Sequence, residues 1–443
     1  MNSTQGVSED GRGRPQWAFA VPMFLYFFLV ITTFWVLKPL KSALFLEYYD
    51  ASGFTLAGWY LRAAQAELLA KVLNMFVALA AAWIFARLAR GLRREQLTYV
   101  FCAFFVVSFA LFSQLIEEPG DFVVWSFYLL GDLFTTLMVT AFFAFLNDSV
   151  TPERARRLYG PIVLGGVLGG ALGPTFLRLW IERFSPSFWL WASLAAVLVI
   201  AGTAYVAAGW VRRNPPPERL EPVSVEAPSE GRSAWEGATM ILRSRYLLAI
   251  VAIVGFYEIC SQVLDFQFKA TVTHFLDGAS IGKHMTLVYA ISNWTALVVQ
   301  LFLTRWVMTR FGVLTALLVL PSAVCAGSAG FLIWPMLWTG SLLNTADSGF
   351  AYSINQSSKE ALYVPLSKQE KYQAKAFIDM FVQRFAKVLA IGVSLILTTW
   401  FQHFGAVRWL SVFVLVVAVA WMGAARYAGR RFEEYAAELD RAA

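Results

Sequence analysis

Residues 357–388 read SSKEALYVPLSKQEKYQAKAFIDMFVQRFAKV, a charged stretch set between two long apolar runs. Its first part, with Lys359, Glu360, Lys368 and Glu370, has the composition of a solvated loop. Asp379, Arg384 and Lys387 instead fall inside the apolar run that follows. A charge at the centre of a membrane-spanning helix costs about 2.5–3.5 kcal/mol on insertion scales, so it faces a polar cavity or a partner rather than lipid. This helix therefore reads as the wall of a site.

The rest of the chain supplies the setting. Hydrophobic residues make up 58% and charged residues 15% of the sequence, and the mean hydropathy is +0.58. An ordinary soluble domain has about 45–50% apolar and 25% charged residues, so this composition excludes one. The apolar runs approach 20 residues without the alternation of barrel strands, which predicts an all-α membrane protein. The first run ends in Leu37-Lys38-Pro39-Leu40-Lys41 rather than at a small-residue cleavage site, and reads as a retained helix. Cys102, Cys260 and Cys325 are scattered singly, and His274, His284 and His403 lack ligand spacing. No metal, disulfide or cofactor is expected.

Runs at 18–37, 62–86, 97–116, 122–146, 159–180 and 188–211 make six candidate helices. Runs at 246–268, 285–306, 312–333, 336–355, 376–401 and 407–425 make six more. Arginines gather at alternate connections: Arg87, Arg90, Arg93 and Arg94; Arg154, Arg156 and Arg157; Arg212, Arg213, Arg243 and Arg245; and Arg426, Arg430 and Arg431 after the last run. The positive-inside rule then makes both termini cytoplasmic, in a bacterial inner membrane. It also accounts for the net charge of +7 without a nucleic-acid partner. Pro215-Pro216-Pro217 and the polar residues after them cannot bury a core, so 212–245 is expected to be a cytoplasmic linker. The expected organisation is a tail at 1–17, a half at 18–211, the linker, a half at 246–425 and a tail at 426–443. Twelve transmembrane helices in two halves match the layout of the major facilitator fold, in which substrate binds near the midplane between the halves.

Charged residues recur within the candidate helices. Glu67 and Lys71 are four apart on one helix face, as are Asp265 and Lys269 on another, and each spacing permits a pair. Asp132, Glu258 and Asp347 add further carboxylates. Lys71, Lys269, Arg384 and Lys387 bring positive charge that only an anion would use, which suits a phosphorylated or polycarboxylate ligand. The small-residue run Gly165 to Pro174 has no Gly-Lys-Ser/Thr after it, and reads as close helix packing rather than a phosphate loop. Phe34, Trp35, Tyr257, Phe266 and Phe268 lie near the charges, but aromatics are too frequent here to assign a base-stacking role.

The opening stretch resembles the ATP/ADP translocases of plastids and intracellular bacteria. That family has T-K-x-x-A-Y-I-P-L, then K-x-x-A and R-L-G-K. The matching residues here are Ser358, Lys359, Ala361, Tyr363, Val364, Pro365 and Leu366, then Lys375 and Phe377-Ile378-Asp379, then Arg384, Phe385, Ala386 and Lys387. Lys38 and Lys41 resemble part of its L-R-x-x-K-D, with Ser42 in place of Asp. Leu69-Ala70-Lys71 resembles its F-L-K, and Ala155-Arg156-Arg157-Leu158-Tyr159 its A-K-R-F-Y. Asp132 and Asp265 stand where the family has intramembrane Glu, and Ala386, Val388 and Leu389 replace its glycines around the last Lys.

The resemblance implies transport of nucleotides with Lys71, Asp132, Asp265 and Lys387 in the transport site, and it implies no enzyme activity. Lys269 and Arg384 join them as expected ligands, with Glu67, Lys38, Lys41, Lys359 and Asp379 in support. Two other readings fit the same residues: a proton-coupled carrier of another organic anion, with Asp132, Asp265 or Asp379 titrating, and a non-transporting membrane scaffold or sensor. A tether needs only length, so a Gly/Ser chain replacing 215–231 is expected to keep flux within about twofold. Transport by correctly inserted protein measures this, and a collapse would assign the linker a gating role.

Overall fold

A chain inside a bilayer has no water to bond its backbone, so it satisfies its own N–H and C=O groups as helix. The computed structural model describes residues 17–56, 58–150, 152–214, 239–400 and 404–442. The first group of helices is α1 (Trp17–Asp50), α2 (Ala63–Gly91), α3 (Arg94–Leu115), α4 (Asp121–Ser149), α5 (Pro152–Trp180) and α6 (Pro186–Arg213). A short antiparallel hairpin, β1 (Phe54–Leu56) and β2 (Trp59–Leu61), joins α1 to α2.

The second group opens with α7 (Arg245–Phe275), α8 (Ala279–Val298) and α9 (Arg305–Ile333). It continues through α10 (Leu337–Phe350), α11 (Gln356–Ala361), α12 (Lys368–Phe377), α13 (Gln383–Trp400) and α14 (Leu410–Ala442). Wider π-helical turns at Val299–Thr304, Ala351–Asn355 and Ile378–Val382 carry α8 into α9, α10 into α11 and α12 into α13. Among the described residues, nine helices are long and apolar enough to cross a membrane. One of them is the 55-residue stretch Ala279–Ile333. At 1.5 Å per residue it would extend about 80 Å, more than twice the hydrocarbon thickness, if it were straight. It breaks at Gly312, whose φ of 79° suits glycine.

Several boundaries differ from the sequence reading: α14 runs through the expected tail to Ala442, and three others bear on the site. The first helix does not end at 37; it runs on through Lys38, Pro39 and Lys41 to Asp50. Hydropathy stops at a charge, but Lys41 is only 3% exposed because a carboxylate on α4 receives it. The helical path of the tenth run continues to Ala361, and the next begins at Lys368 rather than 376, so the solvated loop shrinks to 362–367. Ser367 fixes that start: its hydroxyl accepts from the Glu370 N–H, and the Glu370 carboxylate accepts from the Ser367 N–H.

The glycines of α5 pack as expected. A Cβ at Gly169 would lie 2.5 Å from the Phe28 carbonyl oxygen of α1, and one at Gly165 would lie 2.4 Å from that of Phe24. Backbones that close exclude any side chain. Gly169→Ala is expected to cost about 1–3 kcal/mol through overpacking. Gly202→Ala, where an added Cβ meets nothing within 4 Å, is expected to be neutral. Thermal unfolding in detergent compares the two, and equal stabilities would remove the α1–α5 contact as a constraint.

Candidate functional site

The charged residues converge because each lies on the inward stripe of its own helix. They line a cavity of about 520 Å³ between the two helix groups. Helix α1 contributes Lys38 and Lys41, α2 contributes Lys71, and α4 contributes Asp132. From the other group, α7 brings Asp265 and Lys269, and α13 brings Arg384 and Lys387. Glu67 stands behind this lining, 1% exposed.

The pairing differs from the sequence expectation in one respect. Glu67 does not pair with Lys71 on its own helix; it takes the Lys269 ammonium of α7 at 2.7 Å. Lys71 reaches across instead to Asp265 and lies 3.5 Å from the amide oxygen of Gln262. Asp265 also meets Lys269 at 3.0 Å, the same-helix pair that the spacing predicted. Four-residue spacing makes a pair possible, but α2 and α7 approach closely enough for opposite charges to satisfy each other across the gap. Glu67 accepts two further hydrogen bonds, from Ser42 Oγ at 3.0 Å and the Tyr128 hydroxyl at 3.1 Å. All three donors meet the same carboxylate oxygen, Oε1, and such hydrogen bonding is what a buried ion pair needs in order to persist.

The remaining charges sort by partner. Asp132 binds the Lys41 ammonium at 2.5 Å and accepts from the Asn74 side chain at 2.6 Å. Lys387 stands 3.6 Å from Glu258, a long ion pair. Among the described residues Lys38 has no carboxylate partner; its ammonium lies over the Trp35, Tyr289 and Phe34 rings at 4.5, 5.4 and 5.8 Å. The Arg384 Nη1 is buried without a hydrogen-bond partner. Lys359 lies on α11, outside the cavity lining. The Asp379 side chain and the segment 215–238 lie outside the described residues.

Sequence reasoning missed the neutral residues of the site. Asn74, Gln262, Tyr128 and Tyr289 line the cavity. Asn74 lies three residues beyond Lys71 and Gln262 three before Asp265, so helical periodicity from the charges could have found them. Nothing in the sequence distinguishes Tyr128 or Tyr289 from the other tyrosines.

Polar contacts between the helix groups gather toward the end of the bundle that carries the hairpin. Gln65 donates to Thr398 at 3.0 Å, and the Glu47 carboxylate accepts from the Gly282 N–H at 3.2 Å. Lys283 pairs with Glu182 in the turn after α5, and that hydrogen bond holds the Glu182 carboxyl below its ordinary pKa. A separate, mostly apolar cavity of about 510 Å³ lies beside Leu179, Ile291 and Trp294, with Arg178 the one charged residue in its lining.

Apolar helices enclosing a cavity of fixed charges define a multi-pass integral membrane protein of the transporter class. Solved structures share the fold. A mutant form of the nucleoside transporter NupG superposes with a TM-score of 0.65 at 12% identity, covering 92% of this chain and 99% of that one. A bacterial homologue of the human lysosomal transporter Spinster gives 0.56 at 13% identity, covering 96% and 99%.

Residues 120–337 and 332–432 match the TLC ATP/ADP transporter family, and the chain belongs to it. It is therefore a nucleotide transporter and not an enzyme. ADP,ATP carrier protein 1 of Chlamydia muridarum is 24% identical over 483 aligned residues, covering 93% of this chain and 88% of that one. The chloroplastic ADP,ATP carrier protein 1 of Arabidopsis thaliana is 20% identical, covering 95% and 76%.

Breaking a buried ion pair from one side leaves the other charge poorly compensated. Glu67→Gln is therefore expected to cost about 3 kcal/mol of stability, and adding Lys269→Met to cost much less than the sum of the single changes. A double-mutant cycle on unfolding in detergent measures the coupling, and additive effects would dissolve the pair.

Proposed function

We propose that this protein exchanges ATP and ADP across a membrane by alternating access, holding the phosphate chain on Lys38, Arg384 and Lys387. The observation that carries this reading is the sorting of the cations. Lys41, Lys71 and Lys269 are tied to carboxylates at hydrogen-bond distance. Lys38 and Arg384 lack such a partner among the described residues, and Lys387 has only a long one. Uncompensated cations in a partly dehydrated cavity attract a polyanion, with Arg384 offering a planar fork and the lysines point charges. The volume also lies within the usual 300–1,000 Å³ of small-molecule sites.

Twelve membrane crossings, six in each helix group, would come from counting α8 and α9 as two spans and the broken paths α10–α11 and α12–α13 as one each. The arginine-rich connections support cytoplasmic termini, a cytoplasmic linker at 212–245 and a bacterial inner-membrane location. In that orientation the interlocked hairpin end faces outward, and we place the mouth of the cavity on the cytoplasmic side, away from those contacts. Phosphates entering then compete with Asp265 for Lys71 and Lys269, loosening the tie that closes the outer end. Asp132 keeps Lys41 in place for the same competition.

Counterflow in proteoliposomes tests the proposal. External ATP should accumulate when the interior is preloaded with ADP and not when it is empty. Failure with every nucleotide preload would overturn exchange. A lost charge-assisted hydrogen bond is worth about 1.5–3 kcal/mol, so Lys387→Met and Arg384→Gln should each weaken ADP binding roughly 10- to 150-fold. Arg431→Ala, paired with Glu434 far along α14, should change nothing. Protection by ADP against thermal unfolding reads affinity apart from the transport cycle. Wild-type protection in both variants would move the phosphate site elsewhere.

A further inference from the structure

One carboxylate in the cavity wall stands apart from the others. Asp347 on α10 is 3% exposed and has no cation at ion-pair distance among the described residues. Its Oδ2 accepts a single hydrogen bond, from Ser261 Oγ at 2.8 Å, while its Oδ1 is buried with no partner. Glu67, Asp132, Asp265 and Glu258 all have an ammonium. Burying an uncompensated carboxylate anion is so costly that the group takes up a proton instead. The neighbouring helices sharpen the contrast. Its electrostatic neighbours are Tyr257, Glu258, Cys260 and Asp265 of α7 and Tyr352 in the turn after α10, with Lys38 of α1 the positive one among them. Lys387 and Arg384 of α13 and Tyr289 of α8 line the same cavity.

We propose that Asp347 is a proton-binding coupling site, so that nucleotide and proton load from the same side. This rests on the nucleotide-transport reading above and adds a coupling ion to it. When Asp347 is neutral, Lys38, Arg384 and Lys387 keep their positive field for phosphate. When it loses its proton, a new negative charge opposes the incoming anion and draws on those cations. Protonation thus raises nucleotide affinity, and by reciprocity bound nucleotide raises proton affinity. No bond other than the carboxyl O–H forms or breaks; the proton comes from bulk water on the loading side and leaves to water on the other.

The test measures ADP protection against thermal unfolding across pH, together with uptake into vesicles under an imposed pH gradient. Linkage to one proton makes ADP affinity fall about tenfold per pH unit above the titration of Asp347. Asp347→Asn mimics the neutral form, and should bind ADP with this dependence abolished. Protonation of the nucleotide itself is common to both proteins and cancels. Ser261→Ala removes the one donor that favours the anion, and should shift the bend of the wild-type profile to higher pH. A gradient acid on the nucleotide side should speed uptake by the wild type and leave Asp347→Asn unaffected. An unchanged pH profile in Asp347→Asn, or acceleration by a sodium gradient in place of a proton gradient, would overturn the assignment while counterflow at equal pH persists. Loss of counterflow in the wild type would instead overturn the transport reading beneath it. Should Asp347→Asn fail to fold, the Ser261→Ala profile decides alone, an unshifted bend refuting the proposal.

Discussion

The tie between the helix groups is a chain of four charges: Lys71, Asp265, Lys269 and Glu67. Two carboxylates and two ammonium groups sum to zero, so the chain can sit in a low-dielectric wall. Such arrangements are poor sources of stability, since a well-packed apolar substitute of the same shape is often as good or better. Charge has a different advantage here. An apolar contact cannot be opened by a phosphate, whereas an ammonium can exchange one anion for another at similar distance and similar energy. On the proposed reading, the interlock is therefore made of the chemical groups that a phosphorylated substrate can compete for.

That competition needs cations not already committed, and α1 supplies the clearest one. Lys38 rests over Trp35 and Phe34 of its own helix and Tyr289 of the other group. A cation–π contact is worth roughly 0.5–2 kcal/mol, enough to position an ammonium but less than a charge-assisted bond to phosphate. Lys38 is thus held in place without being neutralised. Lys41, one helical turn on, is fully committed to Asp132. Two lysines three residues apart are given different tasks by their partners alone.

The membrane class, the helix groups and most of the charged positions could be read from the sequence, because burying a charge in an apolar run is costly enough to mark its position. The partners could not. Glu67 and Lys71 satisfy the spacing rule for a pair, yet each bonds across to α7, since local periodicity carries no information about which helix packs opposite. Lys38 and Lys41 read as the end of a helix because a hydropathy count treats a lysine as solvent-bound wherever it stands. Tyr128 and Tyr289 carried no signal at all: their roles arise only from where α4 and α8 place them.

The two helix groups also differ in how they are built, and this bears on which of them can change shape. In the first, α5 presses glycine against the carbonyls of α1, leaving no room for even a methyl between the two backbones. In the second, three π-helical turns interrupt the helices at Val299–Thr304, Ala351–Asn355 and Ile378–Val382. Such turns carry an extra residue and frequently occur at functional sites. Two of these turns adjoin the cavity: Tyr352 lies within one, and Gln383 and Arg384 follow directly after another. Helices interrupted beside the site can adjust the aim of Arg384 and Lys387 without repacking their outer faces. On the proposed transport cycle, a closely packed first group and an adjustable second group would let one cavity hold a nucleotide from either opening, because only one wall has to follow it.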